Sequence, residues 1–119
     1  MPSAIPKPFF CPVNVALSVI GGKWKPMILW QMTQGKKRFG DFQAAMPGVA
    51  HKVLTQQLRQ LQGNGIIERI EKKKPAFGIE YRLTPLGRSL RPALNSLAGW
   101  GKAYHEELGI SLAWPCRLG

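Results

Sequence analysis

Residues 50–84 read AHKVLTQQLRQLQGNGIIERIEKKKPAFGIEYRLT, and this stretch decides the fold. At about 100° per residue, Leu54, Leu58 and Leu61 fall within an arc of about 60°. His51, Lys52, Thr55, Gln56 and Arg59 occupy a different arc of about 140°. The spacing predicts an amphipathic helix over 50–62, stopped by Gly63-Asn64-Gly65. Residues 66–71 read as a strand, and Ile79, Tyr81 and Leu83 alternate as a second one. Between them Lys72-Lys73-Lys74-Pro75-Ala76-Phe77-Gly78 makes a basic hairpin tip. Thr84 is a good N-cap and Pro85 a good first residue for the helix that follows.

Upstream, Pro47-Gly48 marks a tight turn, and residues 40–46 read as a short helix with Asp41 near its positive end. Lys36 to Phe39 is a short basic connector with the character of a brief strand. A helix over 23–34 carries Pro26 in its first turn, where backbone donors lack intrahelical partners. Before it, Pro12 starts a helix whose Val13, Ala16, Leu17 and Ile20 are spaced as one buried face, ended by Gly21-Gly22. Residues 1–10 hold three prolines and read as a flexible arm. Downstream, one long helix over 85–108 is expected, bent at Pro92. The order is that of a winged helix-turn-helix, α+β and mostly helical, with a two-stranded β wing and a long C-terminal dimerisation helix. The expected layout is an arm over 1–10, a DNA-binding domain over 11–108 and an extension over 109–119. Within the domain, the helix-turn-helix covers about 40–62 and the wing about 66–84.

The chain has 119 residues and a formal charge of +11. That length suits one domain with a modest core, which a second copy of the chain would supplement. No apolar run approaches the ~18–20 residues of a membrane helix. The longest uncharged stretch, residues 8–22, contains two prolines, Asn14 and Ser18. The charge points to a polyanion, nucleic acid or an acidic membrane surface. No acid–base pair or activated nucleophile is visible, and Cys11 and Cys116 lack metal-ligand spacing. The chain therefore reads as a non-enzyme without metal or cofactor.

The polar face of the 50–62 helix carries groups suited to base edges: Gln to adenine, Arg or Lys to guanine, Thr through hydroxyl or methyl. An ordinary solvated face is the alternative. The neighbouring charge favours double-stranded DNA, because nine of the 17 basic residues lie between Lys36 and Lys74 against three acids. His51, Lys52, Thr55, Gln56 and Arg59 are the base-reading candidates. Lys36, Lys37, Arg38, Lys72, Lys73 and Lys74 are the backbone and wing candidates. A non-specific nucleic-acid binder and a winged-helix protein-interaction module are the competing readings.

Several motifs in order resemble the HxlR family of bacterial winged-helix transcription regulators. They are Cys11-Pro12-Val13, Val19-Ile20-Gly21-Gly22-Lys23-Trp24, Lys37-Arg38-Phe39 leading to Pro47-Gly48-Val49, and Leu54-Thr55-Gln56-Gln57-Leu58-Arg59 with Leu61. Gly65-Ile66-Ile67-Glu68-Arg69, Glu80-Tyr81-Arg82-Leu83-Thr84, Gly87, Leu90-Arg91-Pro92-Ala93-Leu94 and Trp100-Gly101 continue the match. The resemblance implies a cytoplasmic, nucleoid-associated homodimer related to the MarR type, acting as a repressor or activator. Its first and last helices would form the interface, here through Val13, Leu17, Leu90, Leu94, Leu97, Trp100 and Tyr104. Two recognition helices would read an inverted repeat with half-sites ~34–36 Å apart. The chain departs from the family at Gly40 and Ala50, where Ser or Thr often caps the motif helices, at His51, and at the basic wing.

Cys11 precedes Pro12 and is the expected N-cap of the first helix, where the dipole stabilises negative charge. Some HxlR relatives sense oxidants or electrophiles through a cysteine at this place. Cys11, with Cys116 as a candidate partner, is therefore the redox-sensing candidate. A small residue that merely packs near the interface is the alternative. A small-molecule or oxidant effector fits the family, but no residue names one.

Overall fold

Pro12 lacks an N–H that the first turn of a helix does not need, and it opens α1 (Pro12–Ile20) behind the N-cap Cys11. Pro26 plays the same part in α2 (Lys25–Met32). The computed structural model describes residues 11–71 and 78–109. Expectations for the arm, for Lys72, Lys73 and Lys74, and for Cys116 lie outside the described residues. After α2 come β1 (Lys37–Arg38), α3 (Phe39–Ala45), α4 (His51–Gly63), β2 (Ile67–Glu71), β3 (Ile79–Leu83), α5 (Pro85–Arg88) and α6 (Arg91–Leu108). This is a mostly helical winged helix-turn-helix. The chain divides into two compact units, Met1–Arg88 and Ser89–Gly119.

In the first unit the three leucines of α4, Leu54, Leu58 and Leu61, are buried with Ile28 and Leu29 of α2 and Phe42 and Met46 around α3. Ile66, Ile67, Tyr81 and Leu83 extend the core to the sheet. Gly65 makes the turn from α4 to β2 at φ 76°, a left-handed conformation that side chains with a Cβ disfavour. β2 and β3 pair antiparallel, with Ile67 opposite Leu83, Arg69 opposite Tyr81 and Glu71 opposite Ile79.

Five details differ from the sequence reading. The sheet has three strands in the order β1-β3-β2, not two. β1 pairs with the other edge of β3, with Lys37 opposite Tyr81 and Arg38 opposite Glu80, which occupies backbone groups that a bare edge would leave open. α3 is capped by Arg38 rather than Gly40: the Asp41 carboxylate accepts the Arg38 backbone N–H at 2.7 Å. The expected long helix is two, because α5 stops at Arg88 and α6 restarts at Arg91. Pro92 cannot donate to the Arg88 carbonyl and its ring crowds that oxygen, so it sits in the first turn of a new helix instead of bending an old one. On α1 only Ile20 is buried, while Val13, Ala16 and Leu17 are exposed, so the described residues leave most of the spaced face uncovered. In the second unit, Leu94 of α6 is buried, unlike Leu97, Trp100 and Tyr104 of the same helix.

Lys25 is a charge in the wrong place for stability. It is buried, with no salt bridge among the described residues, and burial lowers its pKa below the ordinary lysine value. The unfolded chain then binds the proton more tightly than the folded one. Stability contributed by this site rises as pH climbs from the lowered folded value toward 10.5. Lys25→Met should therefore raise the unfolding temperature at neutral pH and flatten the alkaline rise, as thermal melts over a pH series would report. A lower melting temperature for the variant would contradict this account.

Candidate nucleic-acid interface

α4 owes its orientation to burial rather than to a cap. Ala50 is its N-cap and offers no side-chain hydrogen bond, as the sequence implied, so the leucine face fixes the helix. With that face inward, His51, Lys52, Gln56 and Arg59 are exposed and Thr55 is half-buried. All five base-reading candidates thus share one accessible side. The Thr55 hydroxyl donates to the His51 carbonyl at 2.9 Å, which leaves its oxygen to accept and its methyl to pack. The His51 ring lies against Phe39, with centroids 4.6 Å apart. No acid stands on α4, and Lys52 and Arg59 have no ion-pair partner among the described residues. The outer side bounds a hollow of 570 Å³ lined by His51, Lys52, Thr55, Gln56, Arg59 and Gln60.

A second cleft, of 750 Å³, lies between α4 and the sheet. His51, Thr55, Arg59, Gln62 and Gly63 line it from α4, Phe39 from α3, and Arg69, Ile79 and Tyr81 from β2 and β3. Sequence reasoning placed Phe39, Arg69, Ile79 and Tyr81 in strands or family motifs and gave none of them a role at the site. The alternation of the two strands was the available signal, since the pairing of Arg69 with Tyr81 and Glu71 with Ile79 puts these residues on one face.

The backbone candidates are less free than their charge suggests. Lys36 and Arg38 both pair with the buried Glu80, at 3.6 Å and 3.8 Å. Lys37 is half-buried in β1. Arg69 pairs with Glu71 at 2.7 Å, and Arg82 with Glu68. Cys11 is exposed, not packed away. Apolar side chains remain uncovered on two helices: Val13 and Leu17 of α1, and Leu97, Trp100, Tyr104 and Leu108 of α6. Leu90 is half-buried.

A buried leucine stripe under a basic, acid-free helix, set before a β hairpin, defines a DNA-binding winged helix-turn-helix. Residues 19–108 match the family described as HxlR-like helix-turn-helix, and the chain belongs to it. It is 46% identical over 89 residues to the HTH-type transcriptional regulator YtcD of Bacillus subtilis (strain 168), covering 75% of this chain and 71% of the relative. It is 40% identical over 98 residues to YdeP of the same organism, covering 82% and 77%. Among solved structures, the redox regulator HypR in its reduced form is similar at a TM-score of 0.79 and 38% identity, over 85% of this chain and all of that one. The oxidized form of HypR gives 0.74 and 41%, over 78% and 96%. The protein is thus a transcription regulator of the helix-turn-helix type. Its relatives are regulators rather than enzymes, and no helix among the described residues is long and apolar enough to cross a membrane.

Proposed function

We propose that this regulator acts as a homodimer that reads an inverted-repeat operator through α4. Lys52, Thr55, Gln56 and Arg59 face bases, assisted by His51. Lys36, Lys37, Arg38 and the wing lysines Lys72, Lys73 and Lys74 hold phosphates. The observation that carries this reading is the accessible, acid-free polar side of α4, whose Lys52 and Arg59 have no ion-pair partner among the described residues and whose leucine side is buried. Lys36 and Arg38 keep exposed side chains and stand 3.6 Å and 3.8 Å from Glu80, long for a direct hydrogen bond, so a phosphate can approach them without their leaving that carboxylate. Val13 and Leu17 of α1, with Leu90 at the N-cap of α6 and Leu97, Trp100 and Tyr104 within it, supply the dimer surface.

Selection of bound duplexes from a random pool tests this reading. A palindromic site with half-site centres ~34–36 Å apart is the expected product. On that site, Gln56→Ala should cost about 1–3 kcal/mol and relax the preference at one position. Lys73→Ala should weaken selected and random duplexes alike and reduce the salt slope by about 1. Equal effects of both variants on both duplexes would remove the division between base and phosphate contacts.

Regulation by oxidation belongs to the same proposal, supported by the exposure of Cys11 and by the similarity to HypR. Diamide accepts two electrons and two protons at its N=N bond while two thiols join as a disulfide, with Cys116 as the candidate second thiol. Operator binding should fall on treatment and return with a thiol reductant, and Cys11→Ser should abolish the response. Unchanged binding by the treated wild-type protein would end the redox reading.

A further inference from the structure

We propose that Phe39 is a positioning residue for base reading: its ring holds the His51 imidazole at the entry of α4, so that one base pair of each half-site meets a side chain already set before DNA arrives. The proposal rests on the reading of α4 as the DNA-contacting helix. His51 is the first residue of α4 and is exposed. The first turn of a helix is weakly constrained unless it is capped, because its first N–H groups lack intrahelical partners. Ala50 supplies no side-chain hydrogen bond there. The Thr55 hydroxyl reaches the His51 carbonyl at 2.9 Å, which ties the backbone of that turn and leaves the imidazole untouched. What meets the imidazole among the described residues is the Phe39 ring, with centroids 4.6 Å apart and planes 43° from parallel.

Phe39 is a firm support. It is half-buried and begins α3 directly after β1. Before it, Arg38 stands opposite Glu80 in the sheet, and the Arg38 backbone N–H donates to the Asp41 carboxylate at 2.7 Å. One turn further on, Phe42 is fully buried with its ring 6.3 Å from that of Tyr81. The sheet thus fixes α3 on both sides of Phe39, and the ring contact passes that fixed position to His51. The two imidazole nitrogens have no hydrogen-bond partner among the described residues, so they remain to meet a base edge. His51 also lines the outer hollow with Lys52, Gln56 and Arg59, the side on which the base-reading candidates stand. A side chain that is free to rotate loses that freedom on binding, and holding it beforehand removes part of the cost. The expected gain is about threefold per half-site, and so about tenfold on a palindrome read by two subunits.

The test measures dissociation constants of the full chain for the selected duplex and for its single-base-pair variants. The proteins compared are wild type, Phe39→Leu, Phe39→Tyr, His51→Ala and the double variant of Phe39→Leu with His51→Ala. Leucine keeps apolar bulk and removes the ring, whereas tyrosine keeps the ring. Phe39→Leu should weaken the selected duplex about tenfold and relax the preference at the same base pair as His51→Ala, with other positions unchanged. Phe39→Tyr should read the site as wild type does, and Phe39→Leu should add nothing in the His51→Ala background. A Phe39→Leu protein that keeps the preference at the His51 position, or loses affinity equally for selected and varied duplexes, overturns the proposal, as do additive losses in the double variant. A second measurement is independent of whether Phe39→Leu folds: NMR cross-relaxation between the Phe39 and His51 ring protons in the free wild-type chain is expected, and its absence overturns the proposal. Failure of the parent reading looks different. The wild type then selects no duplex, which removes the proposal with it, whereas a selective wild type with an equally selective Phe39→Leu variant removes the proposal alone.

Discussion

Gly87→Ala lowers the unfolding midpoint by about 10–15 °C, corresponding to roughly 3 kcal/mol. A Cβ at this position would stand 2.1 Å from the Ile66 carbonyl oxygen, 3.1 Å from its carbon and 3.1 Å from a Leu83 methyl. The obstruction is backbone, and that backbone is tied down. The Ile66 oxygen accepts the Thr84 N–H at 3.0 Å, and the Ile66 N–H donates to Leu61 at 3.0 Å. The Thr84 hydroxyl adds a bond to the Gly65 carbonyl at 2.6 Å and accepts the Gly87 N–H at 3.0 Å. Relief of the clash means lifting α5 off the start of β2, which breaks this knot. Alanine in a helix is worth about 1 kcal/mol over glycine, so propensity works against the predicted sign and is the smaller effect. Gly40→Ala in α3 is the control: nothing lies within 4 Å of its Cβ, and the melting temperature should hold or rise. Equal melting temperatures for Gly87→Ala and the wild type would show that α5 does not sit against Ile66 in solution.

Local periodicity made α4 legible almost residue by residue. Its buried Leu54, Leu58 and Leu61 and its stop within one residue of Gln62 follow from spacing and from glycine chemistry, while the cap at Ala50 came from the family resemblance. The two wing strands were legible for the same reason. The strand β1 was legible as a brief basic strand, but its pairing was not, because its partner Tyr81 stands far along the chain from Lys37. Pro92 was legible as a disruption but not as a start, since a proline in the interior of one helix and one in the first turn of the next look alike in sequence.

At the candidate site the sequence counted cations correctly and could not count their partners. Lys36 and Arg38 turn toward Glu80 because β1 lands beside β3, and Arg69 turns toward Glu71 along its own strand. Lys52 and Arg59 have no ion-pair partner among the described residues, and α4 itself contains no acid, a fact visible in the sequence. The apolar spacing of α1 was also plain, but spacing alone does not say which molecule covers a face. The same ambiguity governs α6, where most of the expected interface residues remain exposed.

That exposed face leads to the other large effect. On the proposed homodimer, Trp100→Glu should yield monomers at micromolar concentration and lower affinity for the full operator by about 10³-fold. Leu97, Trp100, Tyr104 and Leu108 fall within an arc of about 80° on α6. Trp100 is 66% exposed and stacks on Tyr104 with centroids 4.9 Å apart and rings 15° from parallel. The rings thus present one flat apolar surface that stands largely exposed. An aromatic anchor of this kind commonly contributes 2 kcal/mol or more to an interface. A two-fold axis presents the substitution twice, so about 4 kcal/mol is at stake per dimer, a factor of roughly 10³ in its dissociation constant. The incoming carboxylates add to the loss, because a buried charge without a partner is costly. Lys102→Glu is the matched control, since residue 102 projects about 140° from Leu97 on the helix and lies off the apolar arc. Sedimentation should show monomers for Trp100→Glu and dimers for Lys102→Glu. Gel shifts should show the first binding a half-site as well as a full one. A Trp100→Glu protein that stays dimeric and keeps full operator affinity would place the interface elsewhere and leave the exposed ring pair of α6 for another partner.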